Sequence, residues 1–153
     1  MLKLYHYDRS TAAQRVRLGL EEKELKWESI IVDTAMGDAS QRPDNFHEFN
    51  PKGLIPLLDH DGFMLPESTL ILEYLDDAYP EIAARPSSPE AIHKVRLWMK
   101  QIDTFQQYTG PITYGIAVRK LQMDKSEEEK EADLQSIPDP VKRQAIHVDL
   151  MAK

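Results

Sequence analysis

The sequence contains no cysteine. That excludes disulfides, cysteine-ligated metal centres and a cysteine nucleophile, and it fits a cytoplasmic protein. Any thiol chemistry must therefore arrive on a ligand. No stretch approaches the roughly eighteen consecutive apolar residues that a membrane span requires. The opening Met1-Leu2-Lys3-Leu4-Tyr5 lacks the basic segment and apolar run of a secretion signal, so none is expected. Positive charge is in the minority, with 19 Lys and Arg against 26 Asp and Glu. A net charge of −7 argues against a general nucleic-acid binder, because phosphate neutralisation needs clustered cations. It leaves room for a small anionic ligand, which helix N-termini and a few basic side chains can capture. His6, His47, His60, His93 and His147 show no ligand-like spacing, and there is no glycine-rich phosphate loop. No metal site is expected.

The chain is otherwise ordinary for a globular protein, with 41% hydrophobic and 29% charged residues. Its 153 residues can enclose one good core, or one small domain and part of a second.

Leu2 to Tyr7 alternates, with Leu2, Leu4 and His6 on one face and Lys3, Tyr5 and Tyr7 on the other, and reads as a strand. From Ser10 the period becomes helical, with Ala13, Val16 and Leu20 on one side and Ser10 or Thr11 as the N-cap. Trp27 to Val32 reads as a second strand. Residues 33–50 are polar and irregular, with at most a short helix near Asn45. Asp61-Gly62 between two apolar runs signals a tight hairpin. Pro66-Glu67-Ser68 opens a helix whose apolar side is expected to hold Leu70, Ile71, Tyr74 and Leu75, with Tyr79-Pro80 ending it. A βαβ unit followed by a hairpin and a covering helix is a thioredoxin-like layout, so the fold class is α/β at the N-terminal end.

Residues 80–89 read as a linker containing Arg85-Pro86-Ser87-Ser88-Pro89. Residues 90–153 read as all-helical, with an i, i+3, i+4, i+7 stripe of Val95, Trp98, Met99, Ile102 and Phe105 along a long helix and an expected kink or break at Gly110-Pro111. Ser126-Glu127-Glu128-Glu129 carries a capping-box pattern, and Asp139-Pro140 starts a last helix. The resulting division is residues 1–79, a linker at 80–89, and helices at 90–153.

Leu4-Tyr5 with Ser10, Asn50-Pro51 with Ile55-Pro56, and Glu67-Ser68 with Ile71 and Tyr74-Leu75 resemble the cytosolic glutathione transferase family. The resemblance covers residues 2–80 and continues more weakly through Val95-Arg96-Leu97-Trp98; its details are similar to the bacterial and fungal ether-cleaving branch. It implies glutathione as co-substrate without a metal, an apolar electrophile as second substrate, and a homodimer formed across the third and fourth helices. Family members carry a larger helical domain than residues 90–153 supply, so that domain is expected to be incomplete.

The resemblance also assigns roles. Ile55-Pro56 matches the family's cis-proline, which exposes the main chain of Ile55 to pair with the cysteinyl part of glutathione as an added strand does. Taken alone, a trans proline opening an edge strand is the better reading of Pro56; its neighbours tip the balance. Glu67 and Ser68, at a helix N-terminus, match the residues holding the γ-glutamyl ammonium and carboxylate, although capping is the commoner use of such residues. Ser10, by similarity to serine-type members, donates its hydroxyl to the glutathione sulfur, with Thr11 second. Tyr5 or Tyr7 takes the role if the chain follows tyrosine-type members. An ungapped alignment to the ether-cleaving branch puts that branch's active serine on Ala13 and its neighbouring asparagine on Ala12. Lys52 and Arg9 are candidates for the glycyl carboxylate, and Leu54 stands where many relatives carry a polar contact. Tyr108 and Tyr114 are candidates for the pocket of the second substrate.

Overall fold

The computed structural model describes residues 1–32, 46–113, 115–116 and 119–135, together with 140, 143, 144 and 147. Four strands, β1 (Leu2–His6), β2 (Trp27–Ile31), β3 (Leu57–His60) and β4 (Phe63–Pro66), form one sheet in the order β2-β1-β3-β4. β1 runs parallel to β2, with Leu2 beside Trp27, and antiparallel to β3, with Tyr5 beside Leu57. β3 and β4 form the hairpin, joined by Asp61 (φ 52°) and Gly62 (φ 91°). Positive φ at both central residues is the backbone of a primed turn, which explains the Asp-Gly pair.

The sheet is covered on both faces, and the alternation of β1 decides which residue meets which layer. Leu2 and Leu4 join Leu58 and the apolar sides of α1 (Thr11–Glu22) and α3 (Ser68–Ala78), namely Val16, Leu20, Ile71 and Leu75. On the opposite face Tyr5 and Leu57 pack with Val32, Ile55 and Phe46, the last from the short α2 (Phe46–Phe49). With both faces buried, β1 has no solvent side, so Tyr5 is as enclosed as Leu4. Fully burying one such side chain is worth about 1.5–3 kcal/mol. The thioredoxin-like layout is therefore present. α1 and α3 approach closely where α1 has Gly19: a Cβ there would stand 2.3 Å from Leu72 Cδ2.

Beyond α3 come α4 (Pro89–Thr113), α5 (Arg119–Met123) and α6 (Glu127–Gln135). The capping box of α6 forms as read. Ser126 N–H donates to Glu129 Oε2 at 2.9 Å, and Glu129 N–H donates to Ser126 Oγ at 3.3 Å. Leu70 and the expected break at Gly110-Pro111 need correcting. Leu70 is exposed, because α3 presents the Ile71–Leu75 line to the sheet and Leu70 lies a hundred degrees round from Ile71. α4 continues through Gly110 and Pro111 to Thr113. Pro111 falls in the last turn, where its missing N–H forfeits only the carbonyl of Gln107 and the helix is about to end. The α4 stripe is largely uncovered: Trp98 and Phe105 are 66% and 65% exposed, because no described element packs on that side. Tyr108 is likewise exposed, and Tyr114 and Asp139 lie outside the described residues.

Candidate functional site

The register places the named segments together. Leu57 lies opposite both Tyr5 on β1 and Pro66 on β4. Thus the residues before β3, the turn after β1 and the residues after β4 all leave the sheet at the same end. Those segments carry Ile55-Pro56, Ser10-Thr11 and Glu67-Ser68. They are scattered over nearly sixty positions in sequence and become neighbours only through the antiparallel pairing of β1, β3 and β4.

The loop leading into β3 is built from inside. Asn50 is buried, its side-chain amide donates to the carbonyl of Leu54, and its own carbonyl accepts from Gly53 N–H at 2.8 Å. Gly53 takes φ 63°, a left-handed conformation that suits glycine. The Ile55–Pro56 bond is cis. The Ile55 side chain points into the cluster with Tyr5, Phe46 and Leu57. Its N–H and C=O have no hydrogen-bond partner among the described residues. That leaves a short extended edge, one donor and one acceptor wide, of the kind an added strand pairs with.

Glu67 is the N-cap of α3 and holds φ 68°, a conformation that non-glycine residues adopt at a cost of about 1–3 kcal/mol. Its carboxylate pairs with Lys52 Nζ at 2.8 Å. The hydrogen bond and charge of Glu67 raise the Lys52 pKa, so Lys52 stays cationic at any physiological pH. Both groups are more than half exposed, so the pair itself is worth at most about 1 kcal/mol. Ser68 begins α3 and is 6% exposed. Its Oγ accepts from Arg15 Nη1 at 2.9 Å, which leaves the hydroxyl proton available to a second partner.

Arg15 is a residue that sequence pattern does not single out. Its guanidinium reaches Ser68, Asp103 Oδ1 at 3.3 Å and Gln106 Oε1 at 3.2 Å. Asp103 Oδ2 accepts from Thr69 Oγ1 at 2.8 Å, and Gln106 Nε2 donates to Thr11 Oγ1 at 3.0 Å. One polar network thus joins the N-terminal halves of α1 and α3 to the middle of α4. Charge opposition between Arg15 and Asp103 was the only available signal, and a separation of 88 positions hides it.

Ser10 caps α1, and its Oγ accepts from Ala13 N–H at 3.2 Å. Thr11 is exposed in the first turn. Ala13 is fully buried, so a serine there would face the core and not the groove. Tyr5 is also enclosed, and burial, then the charges of Asp59 and Glu28, push its pKa up. A phenol held neutral against Phe46 is poorly placed to reach a bound sulfur, while Tyr7 is half-buried against the same cluster. Arg9 is exposed in the turn after β1, and Leu54 is 48% exposed beside Ile55. Among the described residues, no group of three or more His, Asp or Glu is arranged to hold a metal ion, and no helix is long and apolar enough to cross a membrane.

Comparisons with known proteins bear on the family and the fold. The protein LigF of Sphingobium sp. strain SYK-6 is 32% identical over 143 residues, covering 91% of this chain and 55% of LigF. A probable maleylacetoacetate isomerase of Vibrio cholerae is 44% identical over 79 residues, covering 52% of this chain and 37% of that protein. Among solved structures, that of the β-etherase LigF superposes with a TM-score of 0.79 at 32% identity, over 94% of this chain and 60% of that one. The chain spans about half the length of the curated relatives it matches. The family profile of the glutathione S-transferase N-terminal domain matches residues 4–86, more than half of the 153 residues. By that match, and with the fold in accord, the chain belongs to the glutathione S-transferase family.

Proposed function

We propose that the protein is a glutathione transferase that conjugates or cleaves apolar electrophiles by attack of glutathione thiolate. The observation that carries this reading is the convergence, at one end of the sheet, of an unpaired Ile55 main chain and the first turns of α1 and α3. Ile55 takes the cysteinyl main chain of the tripeptide. Ser68, already accepting from Arg15, donates its hydroxyl to the γ-glutamyl carboxylate, helped by the α3 N-terminus. Glu67, the N-cap of α3 at φ 68°, accepts from the ligand ammonium. Lys52, paired with Glu67, takes the glycyl carboxylate. Pro56 holds the bond that turns Ile55 outward.

Ser10 is the proposed thiol partner, with Thr11 as the second candidate. A free thiol ionises near pH 8.5, and lowering that by about two units requires about 2.7 kcal/mol. A hydrogen bond to a charged group contributes about 1.5–3 kcal/mol, and a helix N-terminus about 0.3–1 kcal/mol. Together they reach the requirement. Ser10 Oγ satisfies Ala13 N–H with a lone pair, so its proton remains free to serve the sulfur. Neither hydroxyl acts as a nucleophile.

The likeness to a named maleylacetoacetate isomerase at 44% identity favours a second reading, glutathione-dependent cis–trans isomerisation of an unsaturated acid. The remaining elements of the proposal are a cytoplasmic location and a homodimer, the latter supported by the exposed Trp98 and Phe105 on α4. A division into residues 1–79, a linker at 80–89 and a helical part at 90–153 completes it. Titrating the protein with glutathione by calorimetry, then assaying thiol consumption against aryl halides, aryl ethers and a maleyl acid, tests the reading. Binding with conjugation supports the transferase, and binding with isomerisation supports the second reading. Binding without turnover points to a non-catalytic member, and absence of binding overturns the site.

A further inference from the structure

The seam between the sheet domain and α4 is thinly packed. An open cleft of about 330 Å³ separates them, walled by Leu18, Gly19, Leu72, Ile92, Val95 and Met99. Around the cleft the two sides meet through polar contacts. Arg96 grips Glu73 with its Nε at 3.2 Å and Nη2 at 2.8 Å, and Asp103 and Gln106 join the network at Arg15. Exposed or half-exposed pairs of this kind fix an angle weakly. Something else must set the direction in which α4 leaves the sheet domain.

At the far end of α1 from Ser10, Lys23 caps the helix with its ammonium enclosed: the side chains of Lys23 and Asp76 are only 2% and 8% exposed. Lys23 Nζ donates to Asp76 Oδ1 at 2.7 Å and to the carbonyl of Ile82 at 2.5 Å. The same Asp76 oxygen accepts from Ala84 N–H at 2.9 Å. The pair therefore ties α1 and α3 to each other and to both sides of a three-residue stretch of the linker, five residues before α4 begins. Beside it, Arg85 pairs with Asp77 at the surface, and Glu22 borders the cleft. Nothing in the proposed chemistry uses Lys23 or Asp76.

We infer that the buried Lys23–Asp76 pair is a latch that clamps the Ile82–Ala84 linker and thereby sets the angle of α4, making both residues positioning residues for the contacts of Asp103 and Gln106 at the candidate site. Asp103 lies fourteen residues along α4 from Pro89, about 21 Å at the helical rise. A swing of about ten degrees at Pro89 moves it by about 4 Å. That is enough to break the 2.8 Å and 3.3 Å contacts with Thr69 and Arg15.

The test separates angle from stability. Removing one partner orphans a buried charge, whereas replacing both by apolar groups of similar size removes the tie without that penalty. In the double variant Lys23→Met with Asp76→Leu, the thermal midpoint is expected to stay near wild type. The Ala84 amide is expected to exchange with deuterium at least tenfold faster. The chain has no native thiol, so spin labels at Glu28→Cys and Lys94→Cys report the distance between sheet and α4 cleanly. That distance distribution is expected to broaden or shift by several ångströms. The effect on glutathione affinity, at least threefold weaker, rests on the proposed function; the exchange and distance readouts do not. Unchanged exchange and an unchanged distribution overturn the latch, and a changed distribution with unchanged affinity overturns its link to the site. Should the double variant not fold, exchange in the wild-type protein decides. Protection of Ala84 comparable with α3 supports the latch, and loop-like exchange overturns it. Failure of the wild-type protein to bind glutathione overturns the proposed function and leaves the latch standing.

Discussion

Substituting Ser10→Ala removes two things that can be measured apart. The first is the cap: Ser10 Oγ accepts from Ala13 N–H at 3.2 Å, and losing a cap of this kind costs about 1 kcal/mol of folding stability. The second is the proposed donor to sulfur, worth about 1.5–3 kcal/mol, which corresponds to a rise of about one to two units in the bound thiol pKa. A thiol held at about pH 6.5 is three-quarters ionised at neutral pH, and one returned to about 8.5 is ionised to about one part in thirty. Conjugation at pH 7 is therefore expected to fall by up to about twenty-five-fold and to recover almost fully above pH 9. Affinity for glutathione should change little, because the proposed binding contacts are those of Ile55, Glu67 and Ser68. The assay is the pH profile of kcat/KM against a fixed electrophile, with urea denaturation run alongside to isolate the cap. Ser10→Thr keeps both hydroxyl functions and should stay close to wild type. An unchanged profile in Ser10→Ala refutes the assignment to Ser10. A shifted profile in Thr11→Val would transfer the role to Thr11, whose Oγ1 also accepts a bond, from Gln106.

Three other consequences are open to measurement. Arg15→Met deprives Ser68 and Asp103 of their cation and should weaken glutathione binding by about tenfold, or about 1.4 kcal/mol, while leaving the thiol pKa in place; calorimetry and the pH profile separate the two. His6 is 2% exposed, and burial, then the charge of Arg17, hold its pKa below the ordinary value despite the opposing pull of Asp8. The unfolded chain therefore takes up the proton first, so stability present above about pH 6.5 is lost as pH falls through the folded pKa. The urea midpoint should fall between pH 7 and 5 and fall less in His6→Gln. Gly62→Ala meets no atom within 4 Å, so its cost is purely that of a side chain at φ 91°. About 1 kcal/mol of stability should be lost, with no effect on glutathione affinity, because the proposed groove lies at the opposite end of the hairpin.

The legible parts of this fold were those written in local periods. Ala13, Val16 and Leu20 named the inner face of α1, and Asp61-Gly62 fixed the hairpin, because spacing and turn chemistry depend on near neighbours alone. The Glu67-Ser68 pair could be located at a helix start for the same reason, although its meaning came from the family pattern and not from periodicity. What spacing could not reveal was partnership. Trp98, Ile102 and Phe105 keep an impeccable helical period and yet face outward, since a stripe announces an apolar side without saying what meets it. Leu70 failed for the opposite reason: it is apolar but one step out of phase with Ile71 and Leu75. Arg15, Asp103 and Gln106 stayed hidden because their meeting depends on how α4 is set against α1, which no window of sequence contains.

α1 is only about 18 Å long, yet the groove end and the linker end of the molecule both lean on it. Such a short strut cannot fray at one extremity without shaking the other. Loss of the bound-thiol environment and release of the helical half should thus appear as a single melting event, and fragments split between them should each lose more order than their share of the chain.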